Sequence, residues 1–385
     1  MSNLSFFFLP NSSLFGAGCL NEIGSQAARL HVSRALLVTD KFLAGAEVTG
    51  RIRSLLKAQN IEMVLYDGVE PNPTLQSVYA AYELYAKSNC NGIISLGGGS
   101  SHDCAKAVSI LVTNPAPLEQ YEGTDKFPHK GAPLIAVNTT AGTASEITNC
   151  FIITNTETNT KLIFEGVNAL ADVAIDDPEL MLTLPAGLTA STGMDALTHA
   201  VECYVSNLSF KLTNDLAVLA VRYIFRSLVT AVQEPGNLEA RDDMVYGEYI
   251  AGMAFGSGGV GVVHATAHAL GGIYNLPHGL CNAILLPHAI RYNQQVCASR
   301  YADLYAAIAP EKRAGLSDME ASEAFIAAVE DLSSTIGTRK PLRELGVARE
   351  DFEKIAEKAL QDSCCETNPI FPKKEDIVQI LEAAF

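Results

Sequence analysis

Tryptophan is missing from this chain, and charge is thin: 18% of its 385 residues are charged against 48% hydrophobic. Cations are the scarcer sign, 27 Lys and Arg against 43 Asp and Glu, for a formal net charge of −16. That balance argues against nucleic acid or an anionic membrane as partner, since both require a cationic face. No apolar run reaches the roughly 20 residues a membrane helix needs, and the opening MSNLSFFFLP has neither a basic n-region nor a long apolar core. A cytoplasmic protein with no membrane partner is expected. The nine cysteines include no CxxC pair and are odd in number, which suits reduced thiols better than a disulfide framework. Cys364 and Cys365 are adjacent, a pair open to oxidation. The glycine run that opens at Gly97 is not the dinucleotide fingerprint GxGxxG, and the HExxH of zinc proteases is absent.

The length allows two domains with separate cores. From about 35 to 180 short apolar runs alternate with helical stretches, as in ALLVT before Asp40 and GIISL before three glycines. Strand alternating with helix predicts a parallel, Rossmann-like sheet covered by helices, with ligands beyond the carboxyl ends of the strands. Gly97, Gly98, Gly99 and Ser100 follow such a strand and open a helix, where free amides favour a pyrophosphate; a plain tight turn would use the same residues. His102 stands where a third glycine would be. Asp40, ending its strand, is placed either to accept hydrogen bonds from a ribose diol and repel a 2′-phosphate, or simply to cap the next helix. Thr139, Thr140 and Thr143 offer hydroxyls and amides to a phosphate or nicotinamide. The polar run at 154–160 reads as a hairpin tip.

After residue 180 the strand signals stop. Amphipathic helices are predicted over 187–205, 211–232, 238–254, 260–273, 288–308, 318–335 and 349–361. The division is therefore 1–180, an α/β dinucleotide-binding domain, and 181–385, an all-α metal-binding and substrate domain, with catalysis expected in the cleft between. The helical half carries four of the eight histidines in one stretch: His264, His268, His278 and His288. His264 and His268 are one helical turn apart, as are Asp195 and His199 in an otherwise apolar helix. A buried carboxylate and imidazole need a partner. Asp195, His199, His264 and His278 would make a nitrogen and oxygen site for a borderline divalent ion, Fe²⁺ or Zn²⁺, leaving His268 free to move protons.

The segments GMDALTHAVE at 193–202 and VHATAHALGGIYNLPHG at 263–279 resemble the two signatures of the iron-dependent, group III alcohol dehydrogenases. The likeness extends through VTD at 38–40, DGVEPNPT at 67–74, GGGS at 97–100 and NTTAGTASE at 138–146. It is strongest to the branch holding 1,3-propanediol dehydrogenase, lactaldehyde reductase and NAD-dependent methanol dehydrogenases. The resemblance implies a dehydroquinate synthase-like architecture and hydride transfer between NAD(H) and a short aldehyde or primary alcohol. It also implies a homodimer or an assembly of dimers. By the same likeness Asp195, His199, His264 and His278 match the metal ligands and His268 the catalytic histidine. Asn72, Asp103 and Lys161 join the dinucleotide site, while Asn149, Phe151, Phe255 and Cys364 match positions near the substrate pocket.

Two departures stand out. Ser101 replaces a proline common after the glycine loop, and GSGGVG at 256–261 replaces an Asn-Asn-Ala type sequence, a change expected to widen the pocket or to add backbone donors for a polar or anionic aldehyde, hydroxylated or sulfonated. Phe6, Phe7 and Phe8 read as an edge strand seeking a partner. The alternatives are a polyol dehydrogenase of the same superfamily, a non-catalytic nucleotide-binding protein, and a metallohydrolase, for which no placed carboxylate base is evident.

Overall fold

Residues Arg34–Asp40 show why a sheet forms here. Leu36 and Val38 enter one buried cluster while Ala35 and Leu37 enter another on the opposite face. A strand buried on both faces is the mark of a parallel sheet with helices on either side. The computed structural model describes residues 5–115, 117–158 and 160–385, and in it two compact units separate. Phe8–Thr140 and Ala144–Leu182 form one; Ala141–Thr143 and Thr183–Phe385, with the segment up to Phe7, form the other.

The first unit holds β1 (Ser12–Phe15), β2 (Arg34–Asp40), β3 (Glu62–Val69), β4 (Gly92–Gly97), β5 (Gly123–Thr124), β6 (Leu134–Asn138), β7 (Cys150–Asn155), β8 (Thr160–Glu165) and β9 (Val173–Asp176). Six of them make a wholly parallel sheet in the order β1-β9-β6-β4-β2-β3. Its helices are α1 (Ile23–Arg29), α2 (Lys41–Ala44), α3 (Glu47–Ala58), α4 (Leu75–Lys87) and α5 (Gly99–Thr113). In the register Gly97 lies opposite Asn138, so the glycine loop and the Thr139–Thr140 corner leave the same edge of the sheet side by side. β7 and β8 form the expected hairpin, with β5 beside β8; Asn159 in its tip lies outside the described residues.

Phe6–Phe8 form no strand. The edge strand is β1, four residues later and paired with β9, because Pro10 interrupts the run and has no amide for a ladder.

The second unit is helical: α6 (Ala186–Val205), α7 (Lys211–Gln233), α8 (Leu238–Gly258), α9 (Val262–Tyr274), α10 (His278–Ile308), α11 (Pro310–Arg313), α12 (Asp318–Thr335), α13 (Phe352–Ala359), α14 (Cys364–Thr367) and α15 (Lys374–Ala383). α6 is buried almost end to end, as its apolar stripe predicts. α10 starts ten residues before the predicted 288. Pro287 sits inside it, flanked by buried Cys281–Leu286 and Ala289–Ile290. Packing on those residues offsets the hydrogen bond that proline removes. Among the described residues no single helix is long and apolar enough to cross a membrane.

Candidate metal centre and active site

Three helices of the second unit supply the predicted metal ligands. α6 carries Asp195 and His199 on one face, α9 carries His264, and α10 opens with His278. Gly279 makes the last of these possible: a Cβ there would lie 2.4 Å from the carbonyl oxygen of Ser191 and 3.3 Å from the Asp195 Cβ, so α10 touches α6 backbone to backbone. Ligating atoms of Asp195, His199 and His264 lie within 4.8 Å of one another, all buried. His278 Nε2 is 3.5 Å and His264 Nε2 is 3.8 Å from Asp195 Oδ1. The His199 ring stacks on His264 at 4.5 Å and on Phe255 at 4.0 Å.

Two residues of this centre were missed from the sequence. Glu202 Oε2 accepts from His264 Nδ1 at 2.6 Å, and its Oε1 accepts from the Val263 amide at 2.7 Å. A carboxylate on Nδ1 fixes the tautomer and leaves the Nε2 lone pair for a metal. Its seven-residue offset from Asp195 on the same helix was the available signal. Asn282, one turn after His278, points its Nδ2 into the ligand set: 2.6 Å from Asp195 Oδ1, 3.1 Å from His278 Nε2 and 3.2 Å from His264 Nε2. Three acceptors converge on a nitrogen that has two hydrogens to give, while Asn282 Oδ1 is buried without a hydrogen bond. Lone pairs aimed at one buried point are the donor arrangement of a cation site, so the residues fit a divalent ion.

Electrostatics agree. Burial pushes Asp195 up and His199 well down, the usual penalties for charge removed from water. Burial would also lower His264, but the hydrogen bond and charge of Glu202 outweigh it and raise that ring. His268 lies on the more open side with His278, the two rings stacked at 5.1 Å. Its Nδ1 donates to Asp362 Oδ2 at 2.8 Å. Burial would raise Asp362, yet the His268 ring and hydrogen bonds from His268 and Cys364 hold it below the usual carboxylate range. His288 is on the same helix as His278 but is not among the converging residues.

In the first unit, Gly97 ends β4 at φ +147° and Gly98 caps α5. A Cβ on Gly98 would stand 2.7 Å from Thr140 Oγ1, a buried hydroxyl with no hydrogen-bond partner. The Thr139 amide donates to Gly97 O and the Thr140 amide to Asn138 Oδ1. Glycine loop, α5 N-terminus and an unspent hydroxyl thus share one corner, and they fit a phosphate. Asn72, in the left-handed region at φ +57°, accepts from Lys161 Nζ at 3.0 Å. Asp40 caps α2 by accepting from the Leu43 amide at 2.8 Å. Asp103 is spent internally, accepting from Ser145 Oγ at 2.7 Å and from the Ile152 amide at 3.1 Å. It steadies the 144–152 loop together with buried Lys106, which donates to the Thr148 and Cys150 carbonyls. His102 is a core histidine bonded to Ser95, its pKa pushed down to about 3 by burial and then by Lys106. Thr143 belongs to the other unit.

The pocket candidates divide. Phe255 stacks on a metal ligand, and the Cys364 amide donates to Asp362 at 2.9 Å. Alternation along β7 turns the Phe151 ring into the core, fully buried and stacked on Phe164 at 4.8 Å. Asn149, just before it, is buried, and its carbonyl accepts from the Gly166 amide. The 256–261 glycines close α8 and lead into α9. The amides they lead into, Val262 and Val263, are taken by Asn368 Oδ1 and Glu202 Oε1 and offer nothing to a substrate.

Comparison with known proteins agrees with this geometry. Residues 10–178 match the family described as iron-containing alcohol dehydrogenase, and residues 189–385 match the Fe-containing alcohol dehydrogenase family, C-terminal. The chain is 43% identical to 1,3-propanediol dehydrogenase of Citrobacter freundii, covering 98% of both chains. It is 36% identical to the NAD-dependent methanol dehydrogenase of Bacillus methanolicus, over 98% of this chain and 99% of the other. A crystal structure of 1,3-propanediol oxidoreductase superposes with a TM-score of 0.98 at 42% identity, over the whole of both chains. With both family descriptions matched and the ligand set in place, the chain belongs to the iron-containing alcohol dehydrogenase family and is an oxidoreductase of CH–OH groups.

Proposed function

We propose that the protein interconverts a short, neutral aldehyde, plain or hydroxylated, with its primary alcohol, using NAD(H) and a divalent ion, Fe²⁺ or Zn²⁺, held by Asp195, His199, His264 and His278. The observation that carries this is the convergence of Asp195 Oδ1, His264 Nε2 and His278 Nε2 on the single amide nitrogen of Asn282. The ion, when bound, supplies Lewis acidity toward a carbonyl or alcohol oxygen. The nicotinamide exchanges the hydride, and the protein positions it. The pyrophosphate is assigned to Gly97, Gly98, Gly99, Ser100, Thr139 and Thr140, with Thr143, Asn72 and Lys161 completing the cofactor's surroundings. The carboxylate of Asp40 disfavours a 2′-phosphate, which selects NAD over NADP.

His268 handles the proton. With Nδ1 committed to Asp362, Nε2 is the nitrogen that takes or returns it. Phe255 and Cys364 are assigned to the wall that meets the substrate. The choice of a neutral substrate over a sulfonated one rests on charge: the carboxylates of Asp195, Glu202 and Asp362 stand at or beside the centre and together would more than offset the charge of a divalent ion held there. An anionic substrate would meet that field unfavourably. Assembly as a homodimer, or as dimers of dimers, is part of the same proposal.

The test is NADH oxidation by metal-stripped protein against plain, hydroxylated and sulfonated short aldehydes, with Fe²⁺ or Zn²⁺ restored. Metal-dependent turnover of the neutral aldehydes, with the sulfonated one poor, is expected. Turnover only of a polyol, or NADH binding without any turnover, would favour the alternatives.

A further inference from the structure

Beside the proposed metal centre, and sharing no ligand with it, His268, Asp362 and Cys364 form a second cluster in which an imidazole nitrogen, a carboxylate oxygen and a thiol sulfur all lie within 4.8 Å of one another. We propose that these three residues form an inhibitory site for thiophilic divalent cations such as Zn²⁺, Cd²⁺ or Co²⁺. A tetrahedral ion with bonds near 2.0–2.3 Å holds its ligand atoms about 3.6 Å apart, so side-chain shifts of about 1 Å close the cluster around one.

The three ligands are already tied together. Asp362 Oδ2 accepts from His268 Nδ1 at 2.8 Å and Oδ1 accepts from the Cys364 amide at 2.9 Å, and Cys364 opens α14 two residues after Asp362. The cluster therefore forms without drawing distant elements together. Partial exposure of all three gives an ion a way in; Cys365, by contrast, is buried with its sulfur on the Ala359 carbonyl. Binding would release the Cys364 thiol proton to solvent and move the His268 ring proton from Nδ1 to Nε2, leaving a thiolate sulfur and a free Nδ1 lone pair as ligands.

Thiolate with imidazole and carboxylate prefers zinc-like ions to Mg²⁺ or Ca²⁺, and Fe²⁺ stands below Co²⁺ and Zn²⁺ in the affinity order. The consequence concerns His268, which an ion in this site would withdraw from proton transfer. Resting on the function proposed above, zinc should act in two phases, its first equivalent serving the Asp195 centre and excess inhibiting, while iron serves without the second phase.

Sulfur separates the two sites spectroscopically. Metal-stripped full-length protein is titrated with Co²⁺ and followed by absorbance. The Asp195 centre has only nitrogen and oxygen donors and yields ligand-field bands alone; the second site adds a near-ultraviolet sulfur-to-cobalt charge-transfer band. That band is expected to vanish in Cys364→Ser and Cys364→Ala, both checked for folding by circular dichroism, and to persist in Cys365→Ala. Asp362→Asn should weaken the second cobalt roughly tenfold or more. Excess zinc should slow the wild type but not Cys364→Ser, each relative to its own rate. A wild-type titration with no sulfur band, or a band unchanged in both Cys364 variants, overturns the proposal. Asp195→Ala separates the two readings: it removes the first set of bands if the main centre is right, whatever becomes of the sulfur band.

Discussion

Glu202 presents its two acceptor oxygens to three donors, the Val263 amide on Oε1 and both His264 Nδ1 and the His264 amide on Oε2. A glutamine there keeps one acceptor and adds a donor. Because the Val263 amide must keep its acceptor, the new NH₂ faces Nδ1, forcing the proton of His264 onto Nε2 and into the metal position. Glu202→Gln should therefore weaken metal binding about 10–100-fold, read by chelator competition, with NADH affinity unchanged. Wild-type metal affinity in that variant would show that Glu202 only fills space. Glu202 was legible as a face, seven residues on from Asp195; its partner is 62 residues away in the chain, and spacing along one helix says nothing of that. Asn282 was hidden for a different reason: an uncharged amide beside a ProHisGly turn carries no sign of metal chemistry until its neighbours are in place.

The start of α9 shows how one turn is made to serve the site. Its second and third residues, Val263 and His264, direct their amides at Glu202, a carboxylate at a helix N-terminus, where the dipole favours it. Gly261 allows this approach: a Cβ there would lie 2.6 Å from Asn368 Oδ1 and 2.9 Å from Glu202 Oε1, both on buried, bonded side chains. Gly261→Ala is expected to lower stability by about 1–3 kcal/mol, the range for overpacking, and to loosen metal binding with it. Denaturant unfolding and metal retention on dialysis check the pair; loss of neither would leave the glycine without this role. Gly261 of the 256–261 segment is thus placed by packing. Local reading has the same limit at Phe151, since a family position next to a pocket does not say which face of β7 turns inward.

Across the molecule, 48% hydrophobic composition leaves apolar side chains on the surface, as it must. Leu208 and, seven residues apart on α7, Leu212 and Leu219 are exposed, a strip suited to covering by a second copy. Sedimentation at micromolar concentration should give a mass at least twice the 41.1 kDa of one chain; a monomer at that concentration would remove the proposed assembly. Much of the rest was legible in the chain. Period-two and period-3.6 patterns act over a few residues, so the parallel sheet, the helical second half and the one-turn pairs Asp195/His199 and His264/His268 could be placed without coordinates. Contacts between segments far apart in sequence had to be seen: Asn282 among the ligands, Asp362 behind His268 from 94 residues away, Gly279 against α6, and α10 running through Pro287. The physical reason is that local pattern sets which face of an element is apolar, whereas packing decides which faces meet, and the chemistry of this site arises where they do.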